Sequence, residues 1–304
     1  MEVLVVGNTA YVDDDFCTKA FPGDHVQVVA ADDARRDESS PHASWKELLQ
    51  HLDQAYEFDR VVYLSNYLTP HTDTVGDIEL LRSVFRACMG RRVQLLYVAG
   101  PAAAEDAVDA TGQTGKGIIA RAANDLCRHY AAREGVQAKI LRAPFLYTAS
   151  AALEDPFLVP LFDACSTGSV ALQGAEDAAF PLLCAEELAV LVRRVFDSWD
   201  ATFETLDVAD SFNHTAGDVG EALKALFPGL TVAYGESAGY TLPTSDVVRV
   251  RYGWFQRYDL LRDLSTIQAR WDAGRAKKVN PLRAVIDRIQ MRTLPIKCLE
   301  TGVA

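Results

Sequence analysis

Met1-Glu2-Val3-Leu4-Val5-Val6-Gly7-Asn8-Thr9-Ala10-Tyr11-Val12-Asp13-Asp14-Asp15 opens the chain. Val3 to Val6 are all apolar and the run stops at Gly7, the pattern of a buried strand leading into a turn. A phosphate-cradling turn of spacing G-x-x-G-x-x-G needs two further glycines, one for backbone approach to the ligand and one for helix packing. Ala10 and Asp13 stand at those positions. Asp13, Asp14 and Asp15 then put three carboxylates at the start of the next helix. That placement suits a helix dipole, whereas a bound pyrophosphate needs the same helix end free of negative charge. The stretch predicts a nucleotide-binding type of scaffold with an altered loop.

Downstream, apolar runs alternate with helical patterns. A short helix is expected over residues 13–21, closed by Pro22 and Gly23, and a second strand over Val26 to Ala30. Asp32 to Ser44 reads as a polar loop, and Trp45 to Tyr56 has helical spacing. Strands follow at Arg60 to Leu64 and Val93 to Val98, separated by a helix over Val75 to Cys88. Lys116 to Glu134 forms a long helix with Ile118, Ile119, Ala122, Ala123, Leu126 and Tyr130 on one side. Gly135 ends it, and Ala138 to Leu141 begins the next strand. Such alternation predicts a Rossmann-like, doubly wound parallel α/β sheet. After residue 150 turns become frequent. The expected organisation is a Rossmann-like domain over 1–150, a smaller, partly interleaved lobe over 151–269, and a basic amphipathic tail over 270–304.

Composition narrows the function classes. The 304 residues are 49% hydrophobic and 24% charged, enough for a sizeable core. A net charge of −12 argues against nucleic acid as a main partner. No apolar run approaches a membrane span, and the first residues lack the pattern of a secretory leader. Six scattered cysteines without a C-x-x-C pair read as reduced, mostly buried thiols, so a cytoplasmic protein without a metal site is expected. The charge is uneven: residues 270–304 carry +5, leaving −17 on the rest. Leu282, Val285, Ile286 and Ile289 recur at helical spacing among basic residues. The tail therefore reads either as a helix packed on the acidic body or as a contact for a protein or an anionic membrane surface.

Several landmarks in order resemble the extended short-chain dehydrogenase/reductase family, the NAD-dependent epimerases and dehydratases. Phe58-Asp59-Arg60-Val61-Val62-Tyr63-Leu64-Ser65-Asn66 is similar to its "D-x-V-I-H-L-A-A" strand. The helix ending at Cys88 followed by Val93-Gln94-Leu95-Leu96-Tyr97-Val98 is similar to its helix and "F-V-Y-x-S-S" strand. Tyr130 to Gly135 and then Ile140-Leu141-Arg142-Ala143-Pro144-Phe145-Leu146-Tyr147 resemble "Y-x-x-x-x-G … I-L-R-x-x-x-V-Y-G". Phe180 to Ala189 resembles "F-I-Y-V-D-D-L-A", and Tyr252 to Arg257 resembles "L-G-W-x-P". The resemblance spans roughly residues 1–265. It implies NAD or NADP as cofactor, a small-molecule or nucleotide ligand, and a homodimer. By family position it implies Gly7, Ala10, Tyr11, Val12, Asp32, Ser65, Asn66, Arg142 and Pro144 as cofactor-site residues.

The departures bear on chemistry. The family relies on a Tyr-x-x-x-Lys pair, a tyrosine acid/base whose pKa a lysine lowers. None of the eleven tyrosines has a lysine four positions later. Counting back from the strand after the long helix, Lys116 falls at the tyrosine position and Ala120 at the lysine position, which makes Lys116 the one replacement candidate. Near the family's Ser/Thr, Ala99, Gly100 and Pro101 offer no hydroxyl. Ser65 and Asn66 replace a small pair that lets the cofactor lie close, and the ribose-binding acid falls at Asp32 only with a one-residue slip. The resulting expectation is a degenerate member acting in ligand sensing, scaffolding or partner binding. The alternative is an atypical NAD(P)-dependent oxidoreductase or nucleotide-sugar epimerase that uses a different acid/base residue.

Overall fold

The computed structural model describes residues 1–30, 58–65, 75–100, 115–148, 155, 157–172, 174–209, 211–236 and 246–279. The expected helix over 45–56, Asp32, Asn66 and most of the basic tail lie outside the described residues. Strands β1 (Glu2–Gly7), β2 (His25–Ala30), β3 (Arg60–Leu64), β4 (Gln94–Ala99), β5 (Gln137–Arg142) and β9 (Phe203–Asp207) form one sheet in the order β2-β1-β3-β4-β5-β9. Every pairing in it is parallel. The chain steps from β1 outward to β2 and then back across to β3, so the strand order reverses between β1 and β3. In an open α/β sheet a ligand crevice lies outside the carboxyl ends at such a point.

The strands form because their apolar runs are buried on both faces. Val3 and Val5 join one core with Val62, Leu64, Leu96 and Leu141, roofed by α1 (Asp14–Ala20) and α5 (Ala185–Asp197). Leu4 and Val6 join the opposite core with Val61, Tyr63, Leu95 and Ile140, roofed by α2 (Val75–Cys88) and α3 (Gly115–Glu134). A third core gathers β6 (Phe145–Tyr147), α4 (Leu158–Ser166), β7 (Ser169–Leu172), β8 (Leu182–Cys184), α6 (Ala216–Leu226), β10 (Thr231–Tyr234) and α8 (Leu260–Val279). Two short parallel ladders, β6–β8 and β7–β10, hold that region. Among the described residues no helix is long and apolar enough to cross a membrane. Cys88, Cys127, Cys165 and Cys184 are buried free thiols, as expected.

The segment that follows α7 (Val247–Tyr252) is fastened to α5 and β8. The Glu187 carboxylate accepts from the backbone N–H of Arg257 at 2.6 Å and of Tyr258 at 3.1 Å. Trp254 Nε1 donates to the Glu187 carbonyl, and Gln256 Nε2 donates to the Leu182 carbonyl. At the sheet edge, Lys139 is fully buried in β5. Its ammonium reaches Glu204 at 3.0 Å and Asp200 and the Tyr252 hydroxyl at 3.2 Å. Burial alone would lower the Lys139 pKa, but the Glu204, Tyr252 and Asp200 contacts outweigh it and hold the pKa above its ordinary value. Replacing Glu187 with Ala leaves two backbone donors without their carboxylate. It should lower unfolding free energy by about 2 kcal/mol, read from urea denaturation followed by Trp fluorescence; an unchanged midpoint would contradict the fastening role.

Candidate functional site at the carboxyl edge of the sheet

Gly7 closes β1 with φ +107°, and a Cβ there would lie 2.1 Å from the Leu64 carbonyl oxygen. The Asn8 N–H donates to that same oxygen at 2.8 Å. Glycine is therefore required by the approach of β1 to β3, whether or not a phosphate lies above it. Thr9–Tyr11 makes a single 3-10 turn in which Ala10 is exposed. Tyr11 is 1% exposed and packs in the core beneath α1, with Val12 half-buried beside it. The Tyr11 hydroxyl has no hydrogen-bond partner among the described residues. Burial, reinforced by the charge of Asp155, pushes its pKa well above the ordinary value.

The next residue decides the character of the loop. Asp13 adopts an extended conformation as N-cap of α1, and its Oδ1 accepts from the Phe16 N–H at 2.7 Å. Asp14 and Asp15 fill the first turn and are exposed. A helix N-terminus binds phosphate through free N–H groups and a positive dipole end. Here the protein's own carboxylate takes one of those N–H groups, and two more carboxylates surround it. The helix expected over 13–21 starts one residue later because Asp13 serves as its cap.

The other site residues lie along the same edge, since Gly7 is in register with Leu64, Leu64 with Val98, and Ala99 with Arg142. Ser65 follows β3, is fully buried, and its Oγ has no hydrogen-bond partner among the described residues. Ala99 and Gly100, both buried, end β4 without a hydroxyl, while Pro101 lies outside the described residues. Lys116 is placed in the first turn of α3. The Arg142 guanidinium is held by Asp207 of β9 through two bonds, Nε at 2.5 Å and Nη2 at 2.8 Å. Both partners are mostly buried, and such a fork fixes the guanidinium plane. Pro144 is buried in the link between β5 and β6.

Asp155, which sequence reasoning passed over, organises the neighbouring floor. It is 1% exposed and accepts four hydrogen bonds, from Thr148 N and Oγ1 and from the N–H groups of Phe157 and Leu158. Burial outweighs those bonds and raises its carboxyl above the ordinary aspartate value. The missed signal was Asp155-Pro156 immediately before an apolar helix, a start pattern. Close by in sequence, the Tyr147 hydroxyl is also buried without a partner among the described residues.

No protein-family model and no curated protein matches the chain. Solved structures do. A short-chain dehydrogenase/reductase superfamily protein from Agrobacterium tumefaciens with bound NAD aligns over 92% of this chain and 99% of its own, at 13% identity and TM-score 0.64. The fold is that of the extended short-chain dehydrogenases/reductases. In the same fold, a dTDP-glucose 4,6-dehydratase from Streptomyces venezuelae covers 89% of this chain and 96% of its own at 12% identity and TM-score 0.64. A UDP-N-acetylglucosamine 4-epimerase from Bacillus cereus covers 88% and 95% at 13% identity and TM-score 0.54.

Two outcomes follow from the geometry of this carboxyl edge. Gly7→Ala combines a left-handed backbone with a clash against backbone, and should lower unfolding free energy by roughly 3–5 kcal/mol in chemical denaturation. The second concerns pH. Asp155 titrates higher in the folded than in the unfolded chain, so the folded state holds that proton more tightly. Its contribution is complete below the unfolded value, about 3.9, and is lost as pH rises through the folded value. The stability of the wild type minus that of Asp155→Asn should therefore fall as pH rises from about 4 towards 7, measured by urea denaturation at each pH. A difference that grows with pH would contradict the assignment.

Proposed function

We propose that this chain is a non-redox member of the extended short-chain dehydrogenase/reductase family, a scaffold that serves binding rather than hydride transfer. The observation that carries the reading is the Asp13 carboxylate on the Phe16 N–H, at the helix end where a dinucleotide fold receives pyrophosphate. An anion brought there meets three carboxylates and must displace one from its amide, so the residues present do not fit a bound pyrophosphate. NAD bound to the solved Agrobacterium protein is a property of that protein. Three further features support the reading. Gly7 is accounted for by its contact with Leu64. No Tyr-x-x-x-Lys pair exists anywhere in the chain. Arg142 is neutralised by Asp207 rather than presented as a free cation.

The test is a titration of NADH and NADPH followed by nicotinamide fluorescence. The wild type should show no saturable binding up to about 1 mM. Asp13→Gly, which frees the amide and removes a charge, should strengthen binding about tenfold. Micromolar binding to the wild type, or purification with nucleotide attached, would overturn the proposal in favour of an active NAD(P)-dependent enzyme with another acid/base group.

A further inference from the structure

We draw no further inference here: the strongest candidate, the open acidic cleft lined by Glu176 and Asp177 of the β7–β8 link and by Asp218 and Glu221 of α6, carries nothing because Asp218 closes the capping box of α6, Glu221 pairs with Lys224, and no observation shows what the remaining carboxylates would bind.

Discussion

At the end of β1 the Gly7 backbone lies so close to β3 that no side chain fits between Gly7 and the Leu64 carbonyl. That approach sets the direction of everything after it. It fixes where the chain leaves the sheet, tucks Tyr11 into the core beneath α1, and brings Asp13 to the start of the helix. The strand order reverses between these same two strands, so this close approach sits at the point where an open α/β sheet has its ligand crevice. Fold and site are thus coupled through one glycine, whose presence the packing against Leu64 accounts for.

Electrostatics along the edge are settled internally. Asp13 caps its own helix, Asp207 forks onto Arg142, and Asp155 collects four donors around the start of α4. Each arrangement pairs a charged group with partners from the protein itself. Charge-assisted bonds of this kind contribute about 1.5–3 kcal/mol each, so a ligand that had to break one would lose a comparable part of its affinity. The same logic governs the far edge of the sheet, where the Lys139 ammonium is satisfied by Glu204, Asp200 and Tyr252 and joins β5, β9 and α7.

Much of the fold was legible because its strands are apolar runs with sharp ends. Arg60–Leu64 and Val75–Cys88 have the expected bounds, and β4, β5 and α3 differ from expectation by a residue or so. β9 was not legible. Phe203-Glu204-Thr205-Leu206-Asp207 is half-buried at a sheet edge, so polar residues interrupt its pattern and only Leu206 is fully inside. With that strand unseen, Asp207 could not be found as the partner that forks onto Arg142. Lys139 stayed hidden for a related reason: a lysine within an apolar strand gives no sign of distant acids on β9 and the turn before it. The acidic start of α1 was visible because Asp13 and its partner Phe16 are only three residues apart, although the helix begins one residue later than expected. Local chemistry was visible in the sequence, while pairings across sixty residues were not.

α1 keeps its own carboxylate where a dinucleotide fold receives pyrophosphate. The measurement that bears on this is a crystal structure of the wild-type protein grown with saturating NAD and NADP. The Asp13 carboxylate should remain bonded to the Phe16 N–H, with no nucleotide density beside Gly7. Pyrophosphate density at the start of α1, with the Asp13 side chain swung away from Phe16, would contradict it.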